Sequence, residues 1–430
     1  MGFKFDLQIY KEDVQPDGPE PIIIILEYFN FNMFKINFIY KNIKKFFINL
    51  KKKKYFLNII FFKKLFFLKK KIFKKLLNLK KFVKNNSKKK KKNSYIIKII
   101  YKNYLKKINK NLKLIILKIP NFIHFIIIKK NILIKKYICN INKEKKIKKI
   151  KNKIFNLNKS NKTSGRGFSY ISQPLSILYL SLENYFLEIY INENNYKYII
   201  VPHILKFKSL LNSCQIPKFI KKLFIIKNNK KIKYLIPTSE VSLINFMCNK
   251  KVESRFIPLK FISKTPCYRN EKISYGLFNK GIIKQKQFDK IELINFIDYK
   301  KSYKYLKELI KNIEKIIKKF KINYRVLKLS KKNTSYISTV TYDIEIWVPG
   351  INNYCEISSC SNNENYQSLR SKIRYIKNNK IFYPHIINGT GLAIGRFFLS
   401  VLENYLEEEN FIKIPKVLKK KFKNLNNLKI

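Results

Sequence analysis

Histidine, tryptophan and glycine are scarce in this chain of 430 residues: there are three, one and ten of them. Acidic residues are also few, 26 against 93 lysines and arginines. Six cysteines, at 139, 214, 248, 267, 355 and 360, form no CxxC pair and, with so few histidines, no metal-ligand array. That excludes a structural zinc site held by cysteine and histidine and leaves reduced thiols in a cytosol-like compartment as the expectation. Long apolar runs are lacking too. Ile22 to Leu26 is short and most other runs are broken by lysine, so neither a membrane-spanning helix nor a cleavable signal peptide is expected.

What is abundant is Lys, Asn, Ile, Phe and Tyr, the residues spelled by A- and T-rich codons. The net charge of +67 and pI near 10.1 fit a nucleic-acid partner, because clustered cations release counterions from phosphates. A biased genome supplies much of the same charge, so charge alone does not decide. The residues that resist the bias carry more information. All seven arginines lie between Arg166 and Arg396, and eight of the ten glycines between Gly165 and Gly395. Chemistry is expected in that region.

Residues 1–32 differ from the rest of the chain: acids, prolines and glycine are present and two lysines precede Met33. They read as an extension or as an upstream start, with Met33 the alternative. Over 33–119 two apolar seams recur at steps of three and four. One runs Leu65, Leu68, Ile72, Leu76, Leu79, Val83, the other Ile97, Tyr101, Tyr104, Ile108, Leu112, Ile115, Ile119. The self-repelling NNSKKKKKNS between them fits a solvated turn, so an antiparallel coiled-coil hairpin with a basic tip is expected, ended by Pro120. Residues 120–162 read as a linker. From 163 to 430 the expectation is an α+β domain, a mainly antiparallel sheet flanked by helices. Helical patterns are legible at 170–190 and 390–406. Strand patterns are legible in YKYIIV, KFISKTPCY, KQFDKIELINFI, YDIEIWV and KIFYPHII.

Four stretches combine residues that burial alone would not choose. PTSE (237–240) puts Thr238 and Glu240 on one face of a strand, a pair suited to an ammonium group. TPCYRNE and KQFDKIEL read as strand, loop, strand, with Arg269 and Glu271 sharing one face and Phe288, Lys290 and Glu292 another. Arginine offers a planar fork that lysine does not reproduce, and a nearby ring suits stacking on a base. EISSCSN presents Glu356 with Ser358 and Ser359, oxygen donors suited to Mg²⁺. In NGTGLAIGR, glycines 389, 391 and 395 allow a strand and a helix to approach closely, and Arg396 is within reach of a phosphate.

The order and spacing of PTSE, YRNE with QFDKIEL, YDIEIWVPG with EISSCSN, and NGTGLAIGR with LENY resemble the seryl-tRNA synthetases, class II aminoacyl-tRNA synthetases. The resemblance covers about residues 165–410, and more loosely the hairpin and the residues after Met33. It implies a class II catalytic domain behind a coiled-coil arm, and ligation of L-serine to serine tRNA at the expense of ATP. Arg269 would grip the ATP α-phosphate and the serine carboxylate, with Asn270, Glu271 and Lys284 at the nucleotide and Phe288 on adenine. Thr238, Ser239, Glu240, Glu292, Asn388 and Thr390 would surround serine. Glu356 and Ser359 would hold Mg²⁺, with Ile357 and Ser358 beside ATP, and Arg396 would take the γ-phosphate. Arg269, Glu356 and Arg396 would be the catalytic set. The segment around Pro202 resembles the motif that builds the family's dimer interface, so a homodimer is implied, and the basic arm would lie along the long variable arm of the tRNA. The implied location is cytoplasmic, of the kind found in an endosymbiont or an organellar matrix.

This chain departs from the family at Lys284, where a second arginine is usual, at Lys286 in place of histidine, and at Ile273 in place of a loop glycine. Slow turnover is the expectation. Rival readings are a catalytically degenerate relative that only binds RNA, an enzyme for another small amino acid, and a basic coat protein that takes up any RNA with a steep salt slope.

Overall fold

The computed structural model describes residues 157–228, 231–271, 283–408 and 411–429, together with 130–139 and scattered positions between 67 and 121. The expectations for 1–32 and Met33, for the hairpin tip and for the loop containing Ile273 lie outside the described residues. The chain divides into units 1–122 and 123–430. In the first, residues 99–109 are helical, and of the expected seam positions Ile72 and Ile108 are buried while Tyr104 is 59% exposed.

The second unit is built on an eight-stranded sheet. Its strands are β1 (Ile132–Tyr137), β2 (Lys197–Tyr198), β3 (Leu259–Tyr268), β4 (Gln287–Ile297), β5 (Tyr324–Lys328), β6 (Val340–Val348), β7 (Asn353–Asn362) and β8 (His385–Ala393). They lie in the order β1, β5, β6, β7, β8, β4, β3, β2. Every pairing is antiparallel except that of β2 with β3. Three long helices cover one face: α1 (Leu175–Asn192), α2 (Ser302–Lys318) and α3 (Ile394–Tyr405). Leu178, Leu182 and Phe186 of α1, Leu309 and Ile313 of α2, and Phe397 and Phe398 of α3 join Ile291 and Leu293 of β4 in one core. Each such side chain contributes roughly 1.5–3 kcal/mol by leaving water.

Because side chains alternate along a strand, Lys290 and Glu292 face the other way from Ile291 and Leu293. On that second face Ile294 and Phe296 pack with Leu243 and Ile244 from the helix Glu240–Phe246. The candidate residues Glu292, Glu356, Ser359, Asn388 and Thr390 lie on this face, outside the main core.

The α+β expectation holds, with local corrections. Residues 238–240 are not on a strand: the strand Lys231–Leu235 ends first, and Thr238 and Ser239 form a turn into the helix that starts at Glu240. β3 ends at Tyr268, so Arg269 and Glu271 lie just past the strand. In YKYIIV two residues pair. KIFYPHII is split at Tyr383–Pro384 into Lys380–Phe382 and the start of β8, since proline cannot donate to a ladder. The second helical pattern begins as strand and turns helical at Ile394. A third long helix, α2, lies outside the two helical patterns, and the stretch read as a linker supplies the edge strand β1.

Two bulges shape the site face. Opposite Ile344 and Glu345 of β6, β7 advances from Ser358 to Glu356, which leaves Ile357 as an extra residue. Positions 356 and 359 would face opposite ways on a regular strand, and the bulge re-aims them to one side. In β8 the extra residue is Gly391, between Thr390 and Leu392. The Tyr190 hydroxyl donates to its carbonyl at 2.9 Å. A Cβ there would stand 2.9 Å from the Tyr190 ring and 3.0 Å from Ile291 Cγ2. Tyr190 is fully buried and cannot yield. We expect Gly391→Ala to cost about 1–3 kcal/mol through overpacking, measured by urea unfolding. Gly389→Ala should cost less, because its nearest neighbour, Leu309 Cδ2 at 2.8 Å, is the end of a flexible side chain.

Candidate active site

A cavity of about 290 Å³ opens on the site face. Thr238, Glu240, Arg269, Glu271, Glu292, Glu356, Ser359, Asn388 and Thr390 all line it, residues that span more than 150 positions of sequence. β4, β7 and β8 are neighbours in the sheet, and this brings Glu292, Glu356, Ser359, Asn388 and Thr390 together. Thr390 sits directly across from Glu292 in the ladder.

At the inner end, Lys290 forms a buried ion pair with Glu292. Its Nζ also donates to Thr238 Oγ1 at 2.8 Å, and the Thr238 hydroxyl donates to Glu292 Oε2 at 3.3 Å. The backbone N–H of Glu240 donates to the same Thr238 oxygen at 3.3 Å. Glu240 accepts a 2.7 Å hydrogen bond from Gln367 Nε2. Burial first, then the neighbouring Glu292 carboxylate, push the Glu240 carboxyl up to about 7, against the pull of Gln367, Lys290 and Asn388. Two carboxylates and one ammonium thus converge where a small cation would restore neutrality. Asn388 Oδ1 is buried without a hydrogen-bond partner.

At the mouth, the Arg269 guanidinium lies 5.2 Å from the Phe288 ring centroid. Its Nε donates to Pro237 O at 3.3 Å, and its backbone N–H to Lys286 O at 2.8 Å, so both the residue and its fork are tethered. Glu271 receives Lys222 Nζ at 3.1 Å and Lys284 Nζ at 3.6 Å. Burial works against its charge, but Lys222, Arg269 and Lys284 outweigh it and hold its carboxyl below the usual range. Arg396 bridges two elements: Nε donates to Ile283 O at 3.1 Å and Nη1 to Glu356 O at 2.8 Å, with Glu356 Oε2 at 3.8 Å.

Not every expected residue reaches the cavity. Ser239 and Ile357 are buried outside its lining. Ser358 is spent on structure, its hydroxyl donating to Thr390 O at 2.6 Å across β7 and β8. Asn270 is exposed and donates its backbone N–H to Lys222 O. Lys284, Phe288 and Arg396 are not in the cavity lining either: Lys284 reaches Glu271, Phe288 lines a neighbouring cavity with Gln287 and Asp289, and Arg396 is held by Ile283 O and Glu356 O.

Three side chains escaped the sequence reading. Lys222 comes from a segment with no motif. Gln367 lies 127 positions from its partner Glu240. Asp343 on β6 stands across from Ser359, and burial followed by the Glu356 charge pushes its carboxyl up to about 8. Its place in YDIEIW was the available signal. Among the described residues no group of three His, Cys, Asp or Glu could hold a metal ion. A metal here would rest on Glu356, Asp343 and the Ser359 hydroxyl.

Residues 221–405 match the tRNA synthetase class II core domain (G, H, P, S and T). The chain is 37% identical over 272 residues to a serine–tRNA ligase of Wigglesworthia glossinidia brevipalpis, a match that spans 62% of this chain and 63% of that relative, or somewhat less than two thirds of its length. Its fold is that of a cytoplasmic serine–tRNA ligase from Naegleria fowleri solved with AMP, at TM-score 0.78 and 22% identity, over 95% of this chain and 96% of that one. A seryl-tRNA synthetase from Pyrococcus horikoshii solved with ATP aligns over 99% of both chains at TM-score 0.73 and 23% identity. The fold is therefore the class II synthetase fold.

Proposed function

We propose that the chain is a serine–tRNA ligase, which activates L-serine with ATP to seryl-adenylate and pyrophosphate and transfers serine to the 3′ end of serine tRNA. The observation that carries this reading is the meeting, in one cavity, of the Arg269 fork, the carboxylates of Glu240 and Glu292, and the oxygen donors Glu356 and Ser359. The named activity of the Wigglesworthia relative supports it.

In this reading the serine ammonium enters between Glu240 and Glu292, with Thr390 and the unpaired Asn388 Oδ1 taking its remaining polar hydrogens, while Thr238, whose oxygen already accepts from Lys290 and the Glu240 N–H, lines the pocket beside it. Ser239 lies in the turn behind them, buried. Arg269 spans the serine carboxylate and the ATP α-phosphate, which fixes nucleophile and electrophile side by side. Adenine stacks on Phe288, beside Glu271 and Asn270, and Lys284 keeps Glu271 charged. A serine carboxylate oxygen forms the new bond to the α-phosphorus as the bridge to the β-phosphate breaks and pyrophosphate leaves. No nucleophile of the protein takes part. Arg269 and Arg396, the latter at the γ-phosphate, stabilise the charge that develops.

Mg²⁺ fits the outer end of the cavity: Glu356 and Ser359 offer hard oxygen donors, and the Asp343 Oδ1 nearby is buried without a hydrogen-bond partner. Bound there it would neutralise phosphate charge as a Lewis acid. Residues 33–119 serve as the tRNA-binding arm, 120–162 as its connection and 163–430 as the catalytic domain. Exposed Ile177, Leu180 and Ile191 of α1, with Ile200 at 86% exposure, supply an apolar surface for a homodimer. The working compartment is cytoplasmic, and among the described residues no helix is long and apolar enough to cross a membrane.

The test is ATP–pyrophosphate exchange with serine, threonine and alanine, followed by charging of serine tRNA. Exchange with serine far above the other two is expected. Folded protein that binds RNA but shows no serine-dependent exchange would mean the degenerate RNA-binding reading is right.

A further inference from the structure

Gln367 approaches the amino-acid end of the cavity from behind. It sits in the short helix Tyr366–Ser371 and is fully buried. Its amide is fixed from three sides. Oε1 accepts from Asn363 Nδ2 at 2.8 Å, while Nε2 donates to Ser213 O at 3.0 Å and to Glu240 Oε1 at 2.7 Å. A backbone carbonyl and a carboxylate only accept, so the NH₂ must face them and the orientation has no alternative. Glu240 needs such a donor. Lys290 is paired with Glu292, and among the described residues no cation lies within ion-pair distance of Glu240.

We propose that Gln367 is a positioning residue for substrate recognition: it holds the Glu240 carboxylate in place through one oxygen and leaves the other for the ammonium group of the amino-acid substrate. This rests on the reading of the cavity as a serine pocket. Asn363 belongs to the same device, because it lines the cavity and locks the amide that orients Glu240.

The arrangement has a signature in pH. The Glu240 carboxyl, raised to about 7 by burial and then by Glu292, is drawn down by Gln367, Lys290 and Asn388. The other ionisable group beside it is Cys214, whose thiol burial raises to about 12 despite the nearby Arg370, so it stays neutral in this window. A protonated Glu240 gives the ammonium no counter-charge. Below about pH 7 the ionised fraction falls tenfold per pH unit, so KM for serine should rise as pH falls and level off above that point. Removing the Gln367 donor disfavours the charged form further and moves the rise to higher pH.

The experiment compares wild type with Gln367→Met, which keeps the length and removes the amide, in serine-dependent ATP–pyrophosphate exchange from pH 6 to 9. Loss of one hydrogen bond to a charged group should raise KM for serine at pH 7 about 10- to 100-fold. KM for ATP and kcat at saturating serine should change little. The inflection in serine KM should move upward in pH. Gln367→Glu, of the same shape, guards against a folding failure: two carboxylates must then share a proton, so serine KM should rise at least as far and recover on acidification relative to pH 8. Unchanged serine KM in either folded variant, or serine and ATP KM rising together, overturns the positioning role alone. Wild-type protein inert with serine overturns the pocket reading and this inference together.

Discussion

Arg269→Lys should lower kcat/KM in serine-dependent ATP–pyrophosphate exchange by about 10²–10³-fold, or roughly 2.7–4 kcal/mol, the size of one lost donor to developing charge. The geometry explains why keeping the charge does not suffice. Nε of Arg269 is committed to Pro237 O, so in the wild type both terminal nitrogens remain free for a carboxylate and a phosphate together. A lysine has one nitrogen on a flexible stem. It can keep the Pro237 contact or reach the phosphate, but it cannot span both partners in a plane. It also lacks a guanidinium plane to lie over Phe288. Stability should move by less than about 1 kcal/mol, since the residue is only half-buried at the cavity mouth. Thermal unfolding run beside the exchange assay separates the two effects. Undiminished exchange in folded Arg269→Lys would remove the fork from the proposed mechanism and return weight to a basic protein that only coats RNA.

The fork was legible because arginine is so rare in this chain that each one stands out, and the strands around it follow period two closely enough to place Phe288, Lys290 and Glu292 on one face. Periodicity also exposed the long helices α1 and α3. It failed where the backbone departs from regular geometry. Thr238 and Glu240 do converge at the inner end of the cavity, but from a turn and a helix start. Alternation along an assumed strand gives the same pairing for the wrong reason. Glu356 and Ser359, three apart, face one side because Ile357 bulges, and nothing in EISSCSN announces a bulge. α2 repeats its apolar residues at Leu306, Leu309, Ile310, Ile313 and Ile317. That apolar stripe is as regular as the one in α3, so α2 was legible from periodicity, and only the lack of any chemical motif beside it left it aside. Gln367 is the limiting case. A buried amide in a short helix has no local signature, and its importance exists only through a partner far away in sequence.

Glu292→Gln should cost the fold about 3–5 kcal/mol and abolish most serine-dependent exchange, because it strands a buried cation. Lys290 is 6% exposed and Glu292 is 1% exposed, so neither charge has water to turn to. Without the Glu292 charge, Lys290 keeps the neutral amide oxygen of the glutamine, the Thr238 hydroxyl and the more distant Glu240. Drawing Lys290 toward Glu240 would take from the ammonium pocket its second carboxylate. Lys290→Met strands the opposite charge, leaving two neighbouring carboxylates that cannot both stay ionised, and should be destabilising to a similar extent. The double variant Lys290→Met/Glu292→Leu separates fold from chemistry. Replacing a whole buried ion pair by apolar side chains of similar volume is often neutral, so urea unfolding should recover most of the loss seen in either single variant. Exchange should stay absent, since the net charge of the pocket is unchanged but the substrate ammonium has lost the Glu292 oxygens as direct acceptors. Should the double variant instead be as unstable as the sum of the singles, the pair would not be coupled, and Lys290 and Glu292 would act on the fold through separate contacts.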